Sequence, residues 1–417
     1  MAGTVFLSLP AARVFNGFSF ITNLFTSVSA VCVTGLSIVN IGEYYSAFGQ
    51  IIILTLTQLG GLGYMFVSTV VALMLGKMAL KDRRIIQELF DISSFSGLKT
   101  LLLKAVLFVL GIEFAGAVAL TLIFLKDFSF LRSVYLGIFY SITAFCNAGF
   151  SVFNGSLAVF SNNPAVLYVI AFLVFCGGVG FFVIVDIYDK YKGKCHHLSL
   201  HTKVVLFAAF IVAGLSFLLF LLSDILRGHG LLHLINNAFF QAVGTKTAGF
   251  HTVSLLSLSE FSKLVLMILM SVGAAPGSAA GGIKVTTVVL IFVFVKSVLT
   301  GNEDYILFRR RIAPDLIRKS LVIFIVFLGL VTLFSLILIL QENYFRNMPL
   351  IFEVISAFST SGLSLGVTPY LSSLGRIYII IAMITGRIGI LAMLMVMVNP
   401  IVDKKNIKYP EGRILVG

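Results

Sequence analysis

Four short segments of this 417-residue chain share a pattern in which small and polar residues lead to a glycine followed by Leu or Phe: VTGLS around Gly35, NAGFS around Gly149, TAGFH around Gly249 and TSGLS around Gly362. None contains an acidic residue, so the groups they offer a ligand are backbone carbonyls. Carbonyls can replace the hydration shell of a cation without introducing a full charge. Glycine suits such a turn because it reaches positive φ, which lets successive carbonyls face one line. The missing acids argue against a ring built for divalent ions, where Asp or Glu would stand.

The gaps between these glycines are 114, 100 and 113 residues, which suggests four copies of one unit about a shared axis. A second register supports the repeat. QLGGLGY reaches Gly63, CGGVGFF reaches Gly180, GAAPG ends at Gly277 and TGRIG ends at Gly389, lying 28, 31, 28 and 27 residues past the respective turn glycines. Small residues also let membrane helices approach closely, so either register alone carries less than the two together.

Composition fixes the solvent. With 59% apolar and 11% charged residues, the chain reads as an integral membrane protein. Stretches 47–76, 164–185, 204–222, 264–283 and 321–340 contain no charge, 105–125 is interrupted only by Glu113, and 377–399 carries Arg387 in its middle. Each is long enough to cross about 30 Å of hydrocarbon as a helix, which predicts seven crossings. Their continuity excludes a barrel, whose strands alternate in polarity over about ten residues. Twenty of the thirty Lys and Arg lie in 77–104, 189–203, 296–319 and the tail from Lys404, after the proposed exit helices. The net charge of +13 therefore marks one membrane face, the cytoplasmic one, and lipid headgroups rather than nucleic acid. The basic loops are also candidate docking surfaces for a protein partner.

Each unit reads as a crossing, a dip and a return. In the second, 102–125 crosses, SVYLGIFYSITAF (133–145) is apolar but too short to cross, CNAGFSVFNGS turns, and a spanning helix begins near Pro164. In the third, 203–222 crosses, LLHLINNAFFQAV dips, TKTAGFHT turns and 261–295 returns. In the fourth, 321–340 crosses, MPLIFEVISAFS dips, TSGLSLGVTP turns and 371–399 returns. The first has the dip SFITNLFTSVSAV, the turn CVTGLS and a return through 47–76, but only TVFLSLP and Arg13 before it. Either the true start lies upstream or this copy lacks its outer helix. Irregular backbone at membrane depth persists only where it lines a water- or ion-filled space, and each half-helix aims a negative C-terminal dipole at the centre.

The fold class expected is therefore an all-α polytopic membrane protein, with four membrane-pore-membrane repeats around a pseudo-fourfold pore and the first outer helix largely absent. The units are 1–76, 77–190, 191–300 and 301–417, the last including a cytoplasmic tail. Within the third, SVGAAPGSAAGGIKVTT cannot stay helical, because Pro276 removes a donor and Gly273, Gly277, Gly281 and Gly282 surround small residues such as Ser278. A loop is predicted over 273–284, ending at Lys284, between apolar stretches 264–272 and 285–295.

Other motifs carry less. Cys32, Cys146, Cys176 and Cys195 show no CxxC spacing, so no disulfide framework or zinc site follows. His196, His197 and His201 include an i, i+4 pair able to hold a metal on a helix, but they fall in a basic loop and read as solvated. GGIKVTT lacks the adjacent Gly-Lys-Ser/Thr of a phosphate loop, and GGLG and GGVG lie in membrane helices rather than after strands. Arg387 sits where an ionisable group faces a cavity or a partner.

The segments SAVCVTGLS, TAFCNAGFS, TKTAGFHT and SAFSTSGLS, with APGSAAGGIKVTT, resemble the Trk/Ktr/HKT superfamily of potassium transporters, in its bacterial KtrB-like and TrkH-like branch. The resemblance spans nearly the whole chain except the opening helix. It implies a K⁺-translocating pore subunit of a potassium uptake system in the plasma membrane (the cell inner membrane), not an enzyme. Gly35, Gly149, Gly249 and Gly362 match the filter glycines, with Val33, Thr34, Asn147, Ala148, Thr247, Ala248, Thr360 and Ser361 supplying neighbouring carbonyls. In the family a Ser at the first filter position accompanies sodium transport; Gly35 stands there here, favouring K⁺. Lys246 is expected to point away from the pore. The resemblance identifies 273–284 with the family's intramembrane gating loop and makes Arg387 a barrier beside it, the alternative for Arg387 being an ion pair or carbonyl contact. It further implies a homodimer above a ring of KtrA/TrkA-like regulator subunits that bind nucleotide, with K⁺ as the transported ion and no organic cofactor in this chain.

Two other classes stand against this reading. A carrier coupled to Na⁺ or H⁺ also uses broken helices, but commonly in inverted repeats. A membrane enzyme needs convergent His, Asp or Glu at one depth, and the few here are scattered.

Overall fold

The computed structural model describes residues 1–14, 19–63, 98–194, 196–225, 231–244 and 248–389. In chain order it contains α1 (Ala2–Ser8), α2 (Phe20–Val31), α3 (Ile41–Tyr44), α4 (Ala47–Gly61), α5 (Leu98–Phe124), α6 (Phe130–Phe145), α7 (Pro164–Val179), α8 (Phe181–Tyr191), α9 (Leu200–Ile225), α10 (Leu231–Gly244), α11 (Glu260–Ser271), α12 (Val285–Thr300), α13 (Pro314–Gln341), α14 (Asn347–Ser359) and α15 (Ser373–Ile388). A two-residue hairpin, β1 (Ile306–Leu307) with β2 (Arg310–Arg311), joins α12 to α13.

Helix starts are set by local chemistry. Ser19, Ser46, Ser259 and Ser372 each accept an amide of the first turn of α2, α4, α11 and α15, and Asn163 does so before Pro164 of α7. At 1.5 Å per residue, the 27, 26 and 28 residues of α5, α9 and α13 reach about 39–42 Å, enough to span a bilayer. They turn Phe114, Phe210 and Ile325 outward, an apolar surface that lipid rather than water would solvate.

Among the described residues these are the three helices long and apolar enough to cross, or four if α7 and α8 count as one span. Seven were expected: three are continuous helices, 164–185 and 264–283 are interrupted, the latter after Ser271, and two extend beyond the described residues. The run 164–185 is bent by 94° at Gly180. The return through 47–76 is helical to Gly61, and 64–76 lie outside the described residues, as do 390–399 of the last return. The dip predicted over 133–145 begins earlier, at Phe130. TVFLSLP forms most of α1, which packs on α2 and α4.

Packing closes on itself. Each return element meets the short helix of the next unit: α4 on α6, α7 on α10, α11 on α14, and α15 on α2. Phe25, Phe139, Tyr140, Phe240, Phe250, Phe352 and Phe358, on or just after the four short helices, are fully or almost fully buried in this layer. The short helices therefore stand inside a protein wall, the one setting in which half-spanning helices keep their ends out of lipid.

Candidate functional site

The four short helices end in turns of one design. After α2, Val33 takes a left-handed φ of 56° and the Thr34 amide donates back to Ser29 O at 2.8 Å. After α6, Asn147 has φ 57° and Ala148 donates to Thr143 O at 2.8 Å; after α14, Thr360 has φ 47° and Ser361 donates to Ser356 O at 2.9 Å. This is a Schellman closure, and its strain at three non-glycine residues is accepted in the same register each time. After α10 the Ala248 amide donates to Gly244 O at 3.0 Å, while the predicted Thr247, with Lys246, lies outside the described residues. The next residue is glycine in all four, with φ of 86°, 69°, 68° and 78° at Gly35, Gly149, Gly249 and Gly362.

These glycines meet in a ring. A Cβ on Gly35 would collide with the Ala148 carbonyl and one on Gly149 would lie 2.5 Å from the Ala248 carbonyl. One on Gly249 would lie 3.0 Å from the Ser361 carbonyl, and one on Gly362 would collide with the Thr34 carbonyl. Each glycine thus abuts the carbonyl preceding the next, and the fourth returns to the first. No side chain fits at any of the four without moving backbone.

Val33, Thr34, Asn147, Ala148, Ala248, Thr360 and Ser361 are fully buried. Thr34 Oγ1, Asn147 Oδ1 and Ser359 Oγ are buried without a hydrogen-bond partner among the described residues. Such atoms are costly in an apolar interior and acceptable beside water or an ion. Beyond the glycines opens a cavity of about 500 Å³, lined by all four and by residues such as Ser37, Ser151, His251 and Ser364. Among the described residues that line it there is no Asp, Glu, Lys or Arg.

On the other side of the turns runs the irregular segment between α11 and α12. Gly273 donates to Ile283 O at 2.8 Å, Ala275 to Gly178 O at 3.1 Å, and Phe181 to Gly277 O at 3.2 Å. The Gly281 amide donates to Thr360 Oγ1 at 2.8 Å, Ser278 Oγ to Ala275 O at 2.6 Å, and Lys284 Nζ to Ala280 O at 2.6 Å. Gly277 and Gly282 take φ of 73° and 74°, and Pro276 precedes the first of them. Residues predicted as a loop from sequence are therefore an irregular segment hydrogen-bonded to Gly178 and Phe181 on one side and to Thr360 on the other.

Arg387 is in the last turn of α15, and its guanidinium donates to two carbonyls, Ala279 O in this segment and Gly60 O in α4. Arg387 thus makes a carbonyl contact, one of the roles open to it from sequence. His196, His197 and His201 belong to no group of three potential metal ligands among the described residues. Cys32, Cys146 and Cys176 are free thiols, and Cys195 lies outside the described residues.

Sequence reading missed the residues that seat the short helices. A Cβ on Gly60, Gly177 or Gly386 would collide with the carbonyl of Val31, Phe145 or Phe358, at the end of the short helix in the same unit. Each precedes by three a glycine of the second register, and Gly63, Gly180, Gly277 and Gly389 all have φ between 73° and 88°. The three-residue glycine spacing was the available signal. Glu353, fully buried in α14, was also missed; its signal was a lone acid nine residues before Gly362.

This architecture, half-spanning helices whose glycine turns close a ring inside a helical wall, defines a class of membrane transport proteins. A profile of the TrkH family, described as cation transport protein, matches residues 12–408, and the chain belongs to that family. It is 35% identical to "Ktr system potassium uptake protein B" of Bacillus subtilis over 426 residues, covering 100% of this chain and 93% of that protein. It is 33% identical to "Potassium/sodium uptake protein NtpJ" of Enterococcus hirae, covering 95% and 90%, and 34% identical to "Ktr system potassium uptake protein B" of Vibrio alginolyticus, covering 100% and 92%. The crystal structure of the potassium transporter TrkH from Vibrio parahaemolyticus shares its fold, with a TM-score of 0.74 at 20% identity over 92% of this chain and 79% of that one. The chain is thus a multi-pass membrane protein of a transporter family, not an enzyme family.

Proposed function

We propose that this chain is the K⁺-translocating pore subunit of a bacterial-type potassium uptake system, with units 1–76, 77–190, 191–300 and 301–417 around one axis. The observation that carries the reading is the closed ring of glycine–carbonyl contacts from Gly35 through Gly149 and Gly249 to Gly362. Carbonyls of Val33, Thr34, Asn147, Ala148, Thr247, Ala248, Thr360 and Ser361 replace ion hydration there. The outer cavity, without a charged side chain among its described lining residues, agrees with a monovalent ion, and the similar proteins named above are described as taking up potassium, one of them potassium and sodium.

Segment 273–284 is the gate of this pore. In the ring order, the first and third units stand opposite each other, and Arg387 of the fourth touches both, through Gly60 O and Ala279 O. A guanidinium that reaches two opposite units lies across the axis, where its charge repels a cation. Opening then requires that the segment leave Thr360 and Arg387.

The chain works as a homodimer in the plasma membrane, C-terminus inside, above a cytosolic nucleotide-binding ring. The exposed Arg309, Arg310 and Arg311 at the β1–β2 hairpin support a docking role for the basic stretch 296–319, while most of 77–104 and the tail lie outside the described residues. Purified protein in liposomes should take up Rb⁺ down its gradient, with Na⁺ competing weakly. Uptake that needs a Na⁺ or H⁺ gradient would instead establish a coupled carrier.

A further inference from the structure

In α14 the buried Glu353 bonds not to its own helix but to the segment leaving Gly362. Its Oε1 accepts the Ser364 hydroxyl and its Oε2 accepts the Thr368 hydroxyl at 2.8 Å. Ser364 Oγ lies 3.1 Å from Thr368 Oγ1 and accepts the Gly366 amide at 2.9 Å, where Gly366 has φ 79°. Residues 363–368 therefore wrap one carboxyl group. A carboxyl in a low-dielectric wall is tolerated when both oxygens are bonded, so the partners and the acid fix each other.

The register of this contact occurs once more, in weaker form. Nine residues before Gly149 stands Tyr140, whose hydroxyl is 2.8 Å from Ser151 Oγ, and Ser151, like Ser364, is two residues past its glycine. The matching residues in the first and third units are Thr26 and Phe240. Thr26 donates to Thr22 O within its own helix at 3.0 Å, and Phe240 has no polar atom. Among the described residues, the fourth is the turn whose own short helix supplies the bracing carboxyl group, and the fourth is also the one whose Thr360 accepts the Gly281 amide.

We propose that Glu353 is a positioning residue for the fourth turn, holding the Ser361 and Gly362 carbonyls at the spacing that separates K⁺ from Na⁺. The proposal rests on the filter reading above. Without the acid, the Ser364 and Thr368 hydroxyls lose their common acceptor, the segment relaxes, and the carbonyls lose the backing that keeps them from closing on a smaller ion. Gln at this position keeps one acceptor oxygen and retains part of the brace.

The test is Rb⁺ uptake by the purified full-length protein in liposomes, with Na⁺ as competitor, for wild type, Glu353→Gln, Glu353→Ala and Ser364→Ala. Glu353→Ala should raise the KM for Rb⁺ and strengthen Na⁺ competition, each about tenfold, with the maximal rate per folded protein retained. Glu353→Gln and Ser364→Ala should shift both in the same direction by less. A monodisperse Glu353→Ala protein with wild-type KM and Na⁺ competition overturns the proposal. If that variant does not fold, Glu353→Gln and Ser364→Ala carry the same readouts, and wild-type values in both overturn it. Wild-type liposomes that take up no Rb⁺ bring down the filter reading itself, and this inference with it.

Discussion

The Gly281 amide and the Thr360 hydroxyl are joined by a 2.8 Å hydrogen bond, so the irregular segment of the third unit is fastened directly to the residue that ends the fourth short helix. Movement of the segment and geometry of the turn are coupled through one buried contact. Thr360 has the strained φ of 47°, which the Schellman closure holds from one side and Gly281 from the other.

Thr360→Val keeps the shape and the β-branch but removes the acceptor. The unpaired Gly281 amide then costs about 1–3 kcal/mol, and only while the segment lies against the turn. Rb⁺ flux at saturating concentration should rise about tenfold, whereas Thr360→Ser should stay near wild type. Equal flux in the Val and wild-type proteins would show that this bond does not hold the segment.

Arg387 presents a planar fork to the Ala279 and Gly60 carbonyls, a geometry that Lys cannot reproduce with a single ammonium. Arg387→Ala should raise Rb⁺ flux strongly, since charge-assisted bonds contribute about 1.5–3 kcal/mol each. Arg387→Lys should fall between, because it keeps the charge and one contact. Unchanged flux in well-folded Arg387→Ala would remove the barrier role.

How much of this was readable from sequence follows the range of the interactions. The turns were legible because Gly35, Gly149, Gly249 and Gly362 carry a positive-φ requirement locally, whereas the positive φ of Val33 and Thr360 runs against their residue types. The limits of the irregular segment were legible for the same reason, as Pro276 and its glycines cannot stay in a helix. The 94° bend at Gly180 was not. The carbonyls of Gly177 and Gly178 accept Ala279 and Ala275 from another unit, so the helix ends by partners that local composition does not reveal. Nor was the setting of Glu353 legible, its partners Ser364 and Thr368 lying 11 and 15 residues along the chain.

Glycines separate into two kinds, and substitution should separate them too. In Gly149→Ala the new methyl lies 2.5 Å from the Ala248 carbonyl and 2.6 Å from the Gly249 Cα, at a φ of 69° that alanine avoids. Uptake should be lost. Gly329 in α13 has no heavy atom within 4 Å of the same position. Gly329→Ala should leave uptake intact and raise Tm slightly, since alanine is favoured over glycine in a helix interior by about 1 kcal/mol. Rb⁺ uptake and thermal unfolding in detergent decide both.

The acid of α5 offers a test in which two substitutions should cancel. Glu113 is buried at membrane depth, its Oε2 accepting Gln58 Nε2 at 2.8 Å, with Cys146 Sγ 3.9 Å from Oε1. Gln58→Leu removes the strong donor and leaves a buried carboxyl facing a weak thiol, which should destabilise the protein by about 2 kcal/mol. Glu113→Leu alone strands the Gln58 amide and should cost a similar amount. The double variant replaces the pair with apolar groups of similar size and should recover most of the loss, because neither side is then left unsatisfied. Tm values of the four proteins in one detergent measure this coupling. Strictly additive losses would mean that the two side chains do not depend on each other.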